Sequence, residues 1–402
     1  MSQYLVAIHH PNNCDPSLGG ETMEGEAMQR ESPSTQLSNQ LTRRDFAIRT
    51  AGFGLAGLGL AMGLAPAATL AAEQASRSET SPAVADPYSL VDPELLPTLK
   101  QFPPFDLSAE MVGKFRQLPG APPLPAPAPQ PVERHIPGLP GAPEVRLWVV
   151  DPAPSEKGKP LLLHMHGGGF MMTNPMLMPQ IQGIATDCHC VVVSVDYRLA
   201  PETRYPGSLE DNYAALKWVH AHAAELGIDR SRIAVGGESA GGTHAASLAI
   251  HARERNKEDV PICFQLLIYP ALDDRTGSTH PAPPAVGHFM WTASANRFAW
   301  SSLLGVPAGS SKVPAAAVPA RVASVAGLPP AWIGVGSIDL FVEEDMEYAR
   351  RLVHAGVATE LLVVRGAFHG FDLLVPDAEA SKQFSASWKS ALRKAFSTGR
   401  AV

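Results

Sequence analysis

An α/β fold, with a mostly parallel central sheet flanked by helices, is what this 402-residue sequence predicts. Three observations carry the prediction. Short apolar runs at 160–166, 191–195, 233–235, 263–269, 331–336 and 360–365 alternate with longer stretches of helical period, the pattern of parallel strands covered on both faces by crossover helices. One of these runs, Ile233-Ala234-Val235, leads directly into Gly237-Glu238-Ser239-Ala240-Gly241, where small residues on both sides of a serine let a strand turn sharply into a helix. A hydrophobic content of 45% over this length is ample for one large domain with additions, and a net charge of −7 argues against a nucleic-acid partner.

The chain in order supports this reading. Residues 1–41 form a polar N-terminal extension without sustained periodicity. Residues 42–72, with Arg43-Arg44-Asp45-Phe46 ahead of an uncharged Gly/Ala/Leu run, resemble a twin-arginine export signal. Ala65-Pro66-Ala67 and Thr69-Leu70-Ala71 are the cleavage candidates, so the mature protein is expected to begin between Ala68 and Glu73 and to work in the periplasm or outside the cell. No stable membrane association is expected after cleavage. The alternative is an uncleaved signal serving as a membrane anchor, since the run is long enough to cross a bilayer. The extension is long for such a signal, and Met23 or Met28 is an alternative start. Cys14 precedes the signal, which leaves Cys188, Cys190 and Cys263, an odd number that makes no disulfide framework. Cys188-His189-Cys190 and His164-x-His166 lack a further carboxylate or histidine at ligand spacing, so neither a metal nor another cofactor is expected.

A linker over 73–91 precedes cap helices within 92–130. Asp92-Pro93-Glu94 reads as a helix start with an Asp cap and Pro in the first turn, and 107–118 as a second helix with Met111 and Phe115 on one face. Both precede any sheet, so they must cover something built later, and a lid is the simplest proposal. Much of the proline falls within 103–141, in extended connections. The runs 132–136 and 145–150, separated by Gly138-Leu139-Pro140-Gly141, read as an antiparallel start to the sheet. Helices follow at 176–187, 206–226, 243–253, 342–355 and 377–396. The catalytic domain is thus expected to span 131–271 and 327–402, with 272–326 as an insertion after the sixth strand that completes the cap.

In such sheets the reactive groups lie in loops beyond the carboxyl ends of strands. That rule selects the glycines at 167–169, then Ser239, Asp339 and His369. A serine hydroxyl is a weak nucleophile and needs a base. An ordinary imidazole titrates near pH 6.5 and can take the proton and then pass it to a leaving alcohol, so activity should fall below about pH 6. Asp339 would orient that imidazole, or else cap the following helix; Glu343, Glu344 and Asp345 are read as a solvated acidic helix start. Gly167, Gly168 and the amide of Ala240 are the oxyanion-hole candidates, with His166 holding the glycine loop. Losing one such donor costs about 3 kcal/mol, roughly a hundredfold in rate.

The motifs HGGGF at 166–170, YRLAPE at 197–202, GIDRSRIAVGGESAGG at 227–242, GLPPAWIGVGSIDLFVEE at 327–344 and HGF at 369–371 together resemble the bacterial esterases related to hormone-sensitive lipase. The resemblance runs from about Asp92 to the C-terminus and implies an α/β-hydrolase fold. It also implies a serine carboxylesterase acting on short- to medium-chain acyl or small aryl esters. Glu238 departs from the Asp or Thr of many members, and Ile338-Asp339-Leu340 from the more usual Asp-Pro-Leu. Phe170, Met171, Phe289 and Trp291 are candidates for lining a substrate pocket, with ordinary core packing as the alternative. The expected partner is a small-molecule ester, and a homodimer is compatible with the sequence. Cleavage of an amide, lactone or polymeric ester uses the same chemistry, and a non-catalytic binding protein on the same fold is the reading from another class.

Overall fold

The computed structural model describes residues 5–6, 86–102, 107–174, 176–255 and 260–398. The twin-arginine and cleavage motifs, Cys14 and most of the proposed linker lie outside them. Among the described residues one sheet is formed by the two-residue strand Leu5–Val6 and eight longer strands: β1 Val132–Ile136, β2 Val145–Val150, β3 Lys159–Met165, β4 Val191–Asp196, β5 Ile228–Glu238, β6 Phe264–Ile268, β7 Ala331–Gly336 and β8 Thr359–Val364. Their spatial order is β1-β2-β4-β3-β5-β6-β7-β8, and Leu5–Val6 pairs antiparallel to the outer edge of β8. β1, β2 and β4 pair antiparallel, and every pairing from β4 through β8 is parallel. The mostly parallel sheet and its antiparallel start are those expected from the apolar runs.

The period of two explains why these runs lack a polar face. Leu161 and Leu163 of β3 enter one core with Val193, Ile233 and Ile333, while Leu162 between them enters the other with Val192, Ala234 and Trp332. Helices supply the second layer on each side. The second of these cores is covered by α3 (Leu177–Cys188) and α9 (Glu379–Thr398); the first by α4 (Gly207–Ala221), α6 (Ala240–Glu254) and α8 (Val342–His354). The stretch read as one helix over 206–226 breaks after α4, and α5 (Ala223–Leu226) ends at Gly227 in the left-handed region, the usual stop for a helix. β5 begins five residues before its apolar run, because backbone pairing with β3 at Lys159 extends it through polar residues.

The N-terminal segment differs from expectation. Asp92 does not cap a helix; its side chain accepts from the Glu94 amide in a turn. The helix that follows, α1, is a single turn, Leu96–Leu99. α2 is Ala109–Arg116, and its cap is Ser108, whose hydroxyl accepts from the Met111 amide. The insertion contains α7 (Ala293–Leu304), capped in the same way by Thr292. N-terminal segment and insertion meet where the Tyr88 and Phe289 rings lie 4.9 Å apart. Arg116 fastens α2 to the main domain, donating to the carbonyls of Met171 (2.8 Å) and Ala200 (2.7 Å) and to both carboxylate oxygens of Glu202. Arg116→Ala is expected to cost about 1–2 kcal/mol, the exposed Glu202 contributing little, and to speed proteolysis within 86–125. Thermal unfolding and timed trypsin digestion measure both.

Among the described residues no helix is long and apolar enough to cross a membrane. Cys188, Cys190 and Cys263 are buried free thiols. Burial pushes the Cys188 thiol up to about 11 and Cys263 to about 12, so neither is a reactive thiolate at neutral pH.

Candidate active site

Ser239 sits between the last residue of β5 and the first of α6 with φ 53° and ψ −120°, a conformation that costs a non-glycine residue energy. Its neighbours show why the turn needs glycines. A Cβ on Gly237 would stand 2.0 Å from the Met165 carbonyl oxygen at the end of β3, and one on Gly241 1.9 Å from the same atom. The serine amide donates to the Ile268 carbonyl at 2.9 Å, which holds the turn against β6. Ser239 itself is 8% exposed.

Two loops from later strands reach it. Asp339 follows β7, and His369 follows β8. His369 Nε2 lies 3.0 Å from Ser239 Oγ, and its Nδ1 lies 2.8 Å from Asp339 Oδ2. The other Asp339 oxygen accepts from the Phe341 amide at 3.0 Å, so the carboxylate is held at both ends. With Nδ1–H donating to Asp339, Nε2 is free to accept the serine proton. Phe341 and Tyr269 pack edge-on to the imidazole at 5.2 and 4.9 Å between centroids and leave it little room to turn.

The glycine loop closes the site from β3. A Cβ on Gly167 would meet the Glu238 carbonyl at 3.1 Å and Ser239 Cβ at 3.7 Å, so its backbone lies against the serine turn. Gly168 has φ 122°, and its carbonyl accepts from the amides of Met171 and Met172. His166 donates from Nδ1 to the Gly167 carbonyl at 2.7 Å and stacks on Tyr197, and burial lowers its pKa, so it braces the loop as a neutral ring. Ala240, the third oxyanion candidate, opens α6 beside the serine.

Trp291 of the insertion lies over the loop, where a Cβ on Gly169 would meet its ring at 2.5 Å, and its centroid is 6.0 Å from that of His369. Phe289 packs on Tyr88 of the N-terminal segment. Phe170 and Met171 are 2% and 0% exposed; Phe170 contacts Trp300 and His244, so these two take the core-packing alternative beneath the loop. Tyr269, Asp372 and His244 were missed by sequence reasoning. Tyr269 donates to Asp372 at 3.0 Å beside the His369 ring, and burial pushes His244 down to about 3 under the loop. Among the described residues no group of three or more His, Cys, Asp or Glu could hold a metal ion.

Of the three carboxylates expected to form a solvated start to α8, Glu343 is exposed and the other two are not. Glu344 is buried and accepts from the amides of Leu272 and Asp273, while Asp345 is fully buried with neither oxygen hydrogen-bonded among the described residues. Burial, then Glu344 and Asp339, push the Asp345 carboxyl well up. The folded protein therefore keeps a proton that the unfolded chain releases near pH 3.9. This contribution is full below that pH and lost as pH rises toward the folded value, by about 1.4 kcal/mol per pH unit within the window. Asp345→Asn, neutral at every pH, is expected to stabilise the protein more at pH 8 than at pH 4, as paired urea titrations at about those two values would measure.

A family model described as the alpha/beta hydrolase fold matches residues 162–373, from β3 to just past His369. The chain belongs to this family. Carboxylesterase NlhH of Mycobacterium tuberculosis is 36% identical over 331 residues, covering 78% of this chain and 99% of that protein. Esterase LipI of the same organism is 35% identical over 300 residues, covering 71% and 89%. The solved structure of a bacterial heroin esterase superposes with a TM-score of 0.68 at 35% identity, covering 77% of this α/β hydrolase and 99% of that chain.

Proposed function

We propose that this α/β hydrolase is a serine carboxylesterase acting on short- to medium-chain acyl or small aryl esters. The observation that carries the reading is the imidazole of His369, 3.0 Å from the Ser239 hydroxyl on one side and 2.8 Å from the Asp339 carboxylate on the other. Ser239 Oγ attacks the ester carbonyl carbon as its proton passes to His369 Nε2. The resulting oxyanion is met by the amides of Gly167, Gly168 and Ala240, and Asp339 stabilises the imidazolium. The intermediate collapses, the alcohol leaves with the proton from Nε2, and the acyl group stays on Ser239. Water, deprotonated by His369, then releases the acid and restores the hydroxyl.

Relatives named as carboxylesterase and esterase support the ester over other carbonyl substrates. A panel of p-nitrophenyl esters from acetate to dodecanoate, run on the protein and on Ser239→Ala, tests it. Hydrolysis falling off beyond medium chains and lost in the variant is expected; equal rates for protein and variant would defeat the reading. The paired arginines at 43–44 further support export, and N-terminal sequencing of the secreted protein should begin between Ala68 and Glu73.

A further inference from the structure

Behind the nucleophile lies a second serine–histidine–carboxylate set with a different task. His164 of β3 sits directly across from Ser194 of β4, and its Nδ1 lies 2.9 Å from Ser194 Oγ. Its Nε2 lies 3.1 Å from Glu238 Oε1, on the residue immediately before Ser239. The same carboxylate oxygen accepts from Gln180 Nε2 of α3, and Gln180 Oε1 in turn accepts from Asn174, in the segment that follows the glycine loop. Ser194 is wholly buried and His164 and Glu238 nearly so, so no substrate can reach this serine.

We propose that Glu238 is a positioning residue for ester hydrolysis. Its buried carboxylate ties the nucleophile strand β5 to β3, which carries the glycine loop, and to α3, and so sets the distance between the Ser239 hydroxyl and the loop amides.

Three further observations support this. The Gly167 backbone lies against the Glu238 carbonyl, so a shift of Glu238 shifts hydroxyl and loop relative to each other. The second carboxylate oxygen, Oε2, has no hydrogen-bond partner among the described residues and almost no solvent contact, a costly arrangement that an apolar residue of similar size would avoid. Burial pushes this carboxyl up, yet the nearby His164 and its hydrogen bond outweigh that and hold its pKa below the ordinary value, so the acceptor stays charged. A local rule broken beside reacting groups, with both donors aimed at one oxygen, fits a role in alignment better than one in stability.

The inference rests on the esterase reading, and the experiment separates the two. Full-length protein, Ser239→Ala, Glu238→Met, Glu238→Gln and Gln180→Met are compared on p-nitrophenyl butyrate and for inhibition by an aryl trifluoromethyl ketone, which forms a tetrahedral adduct with the active serine. Glu238→Met keeps the length but removes the acceptor; it is expected to lower kcat about 10- to 100-fold with KM within about threefold, and to weaken the ketone by the same factor. Glu238→Gln, which keeps an acceptor oxygen, should recover most of kcat and of ketone affinity. If Glu238→Met does not fold, Gln180→Met reads the same alignment through one donor and should lower kcat severalfold at unchanged KM. Wild-type kcat and ketone affinity in whichever variant folds would overturn the positioning role while leaving the esterase intact, as would a Gln variant no better than Met. An inactive wild-type protein would overturn both.

Discussion

Ser239→Ala is expected to lower kcat on an activated ester by about 10⁴-fold or more, with the fold unchanged. In the proposed mechanism the serine is the group that attacks. The other serine paired with a histidine and a carboxylate, Ser194, is wholly buried, so the second set offers no rescue. Catalysis that remains would come from the oxyanion amides and from substrate binding. Among the described residues the Ser239 side chain makes one hydrogen bond, to His369, and the glycines at 237 and 241 shape the turn, so alanine should leave circular dichroism and thermal midpoint close to wild type. A purified, folded Ser239→Ala retaining a tenth of wild-type kcat would remove the hydroxyl from the mechanism.

The largest effect on stability is expected from Gly241→Ala. The new methyl would stand 1.9 Å from the Met165 carbonyl oxygen and 2.7 Å from its carbon, and both belong to the backbone of β3. No flexible side chain can move aside. Relief requires α6 to lift off the sheet or β3 to part from β5, where Met165 pairs with Gly237. A loss of more than about 4 kcal/mol is expected, seen as insoluble protein or a thermal midpoint lower by roughly 10 °C. Gly113→Ala is the control. It lies within α2, where an added Cβ meets nothing within 4 Å, and there alanine should stabilise by about 0.5–1 kcal/mol. Equal behaviour of the two variants in urea denaturation would contradict the close-contact account.

The sequence readings that matched the structure and those that did not differ in range. The strands at 132–136, 145–150 and 331–336 were legible to the residue, because a β-rich run between turn residues needs no distant information. Ser239, Asp339 and His369 were legible as residues just past strand ends. The helix start at Asp92 misled because Asp-Pro serves a turn as well as a cap, and only Leu95 and Leu99, buried in the core that holds Leu162, decide which. Glu344 and Asp345 read as part of a solvated helix start, yet both are buried, Glu344 against Leu272 and Asp273 of the insertion. His166 was legible as the residue that holds the glycine loop, but the partners of His164, Ser194 and Glu238, were not.

By itself, the sequence determined the order of strands and helices, the loops that carry the reactive side chains, and the glycines on which the serine turn depends. These are local matters: two-face burial demands apolar runs, and close backbone approach demands a missing Cβ. Only the tertiary structure decided the 3.0 and 2.8 Å contacts of His369, the cover over Ser239 and the brace at Glu238. A buried polar group finds its partner through which strands lie side by side, and strand order in a crossover sheet is set by packing among segments far apart in the chain.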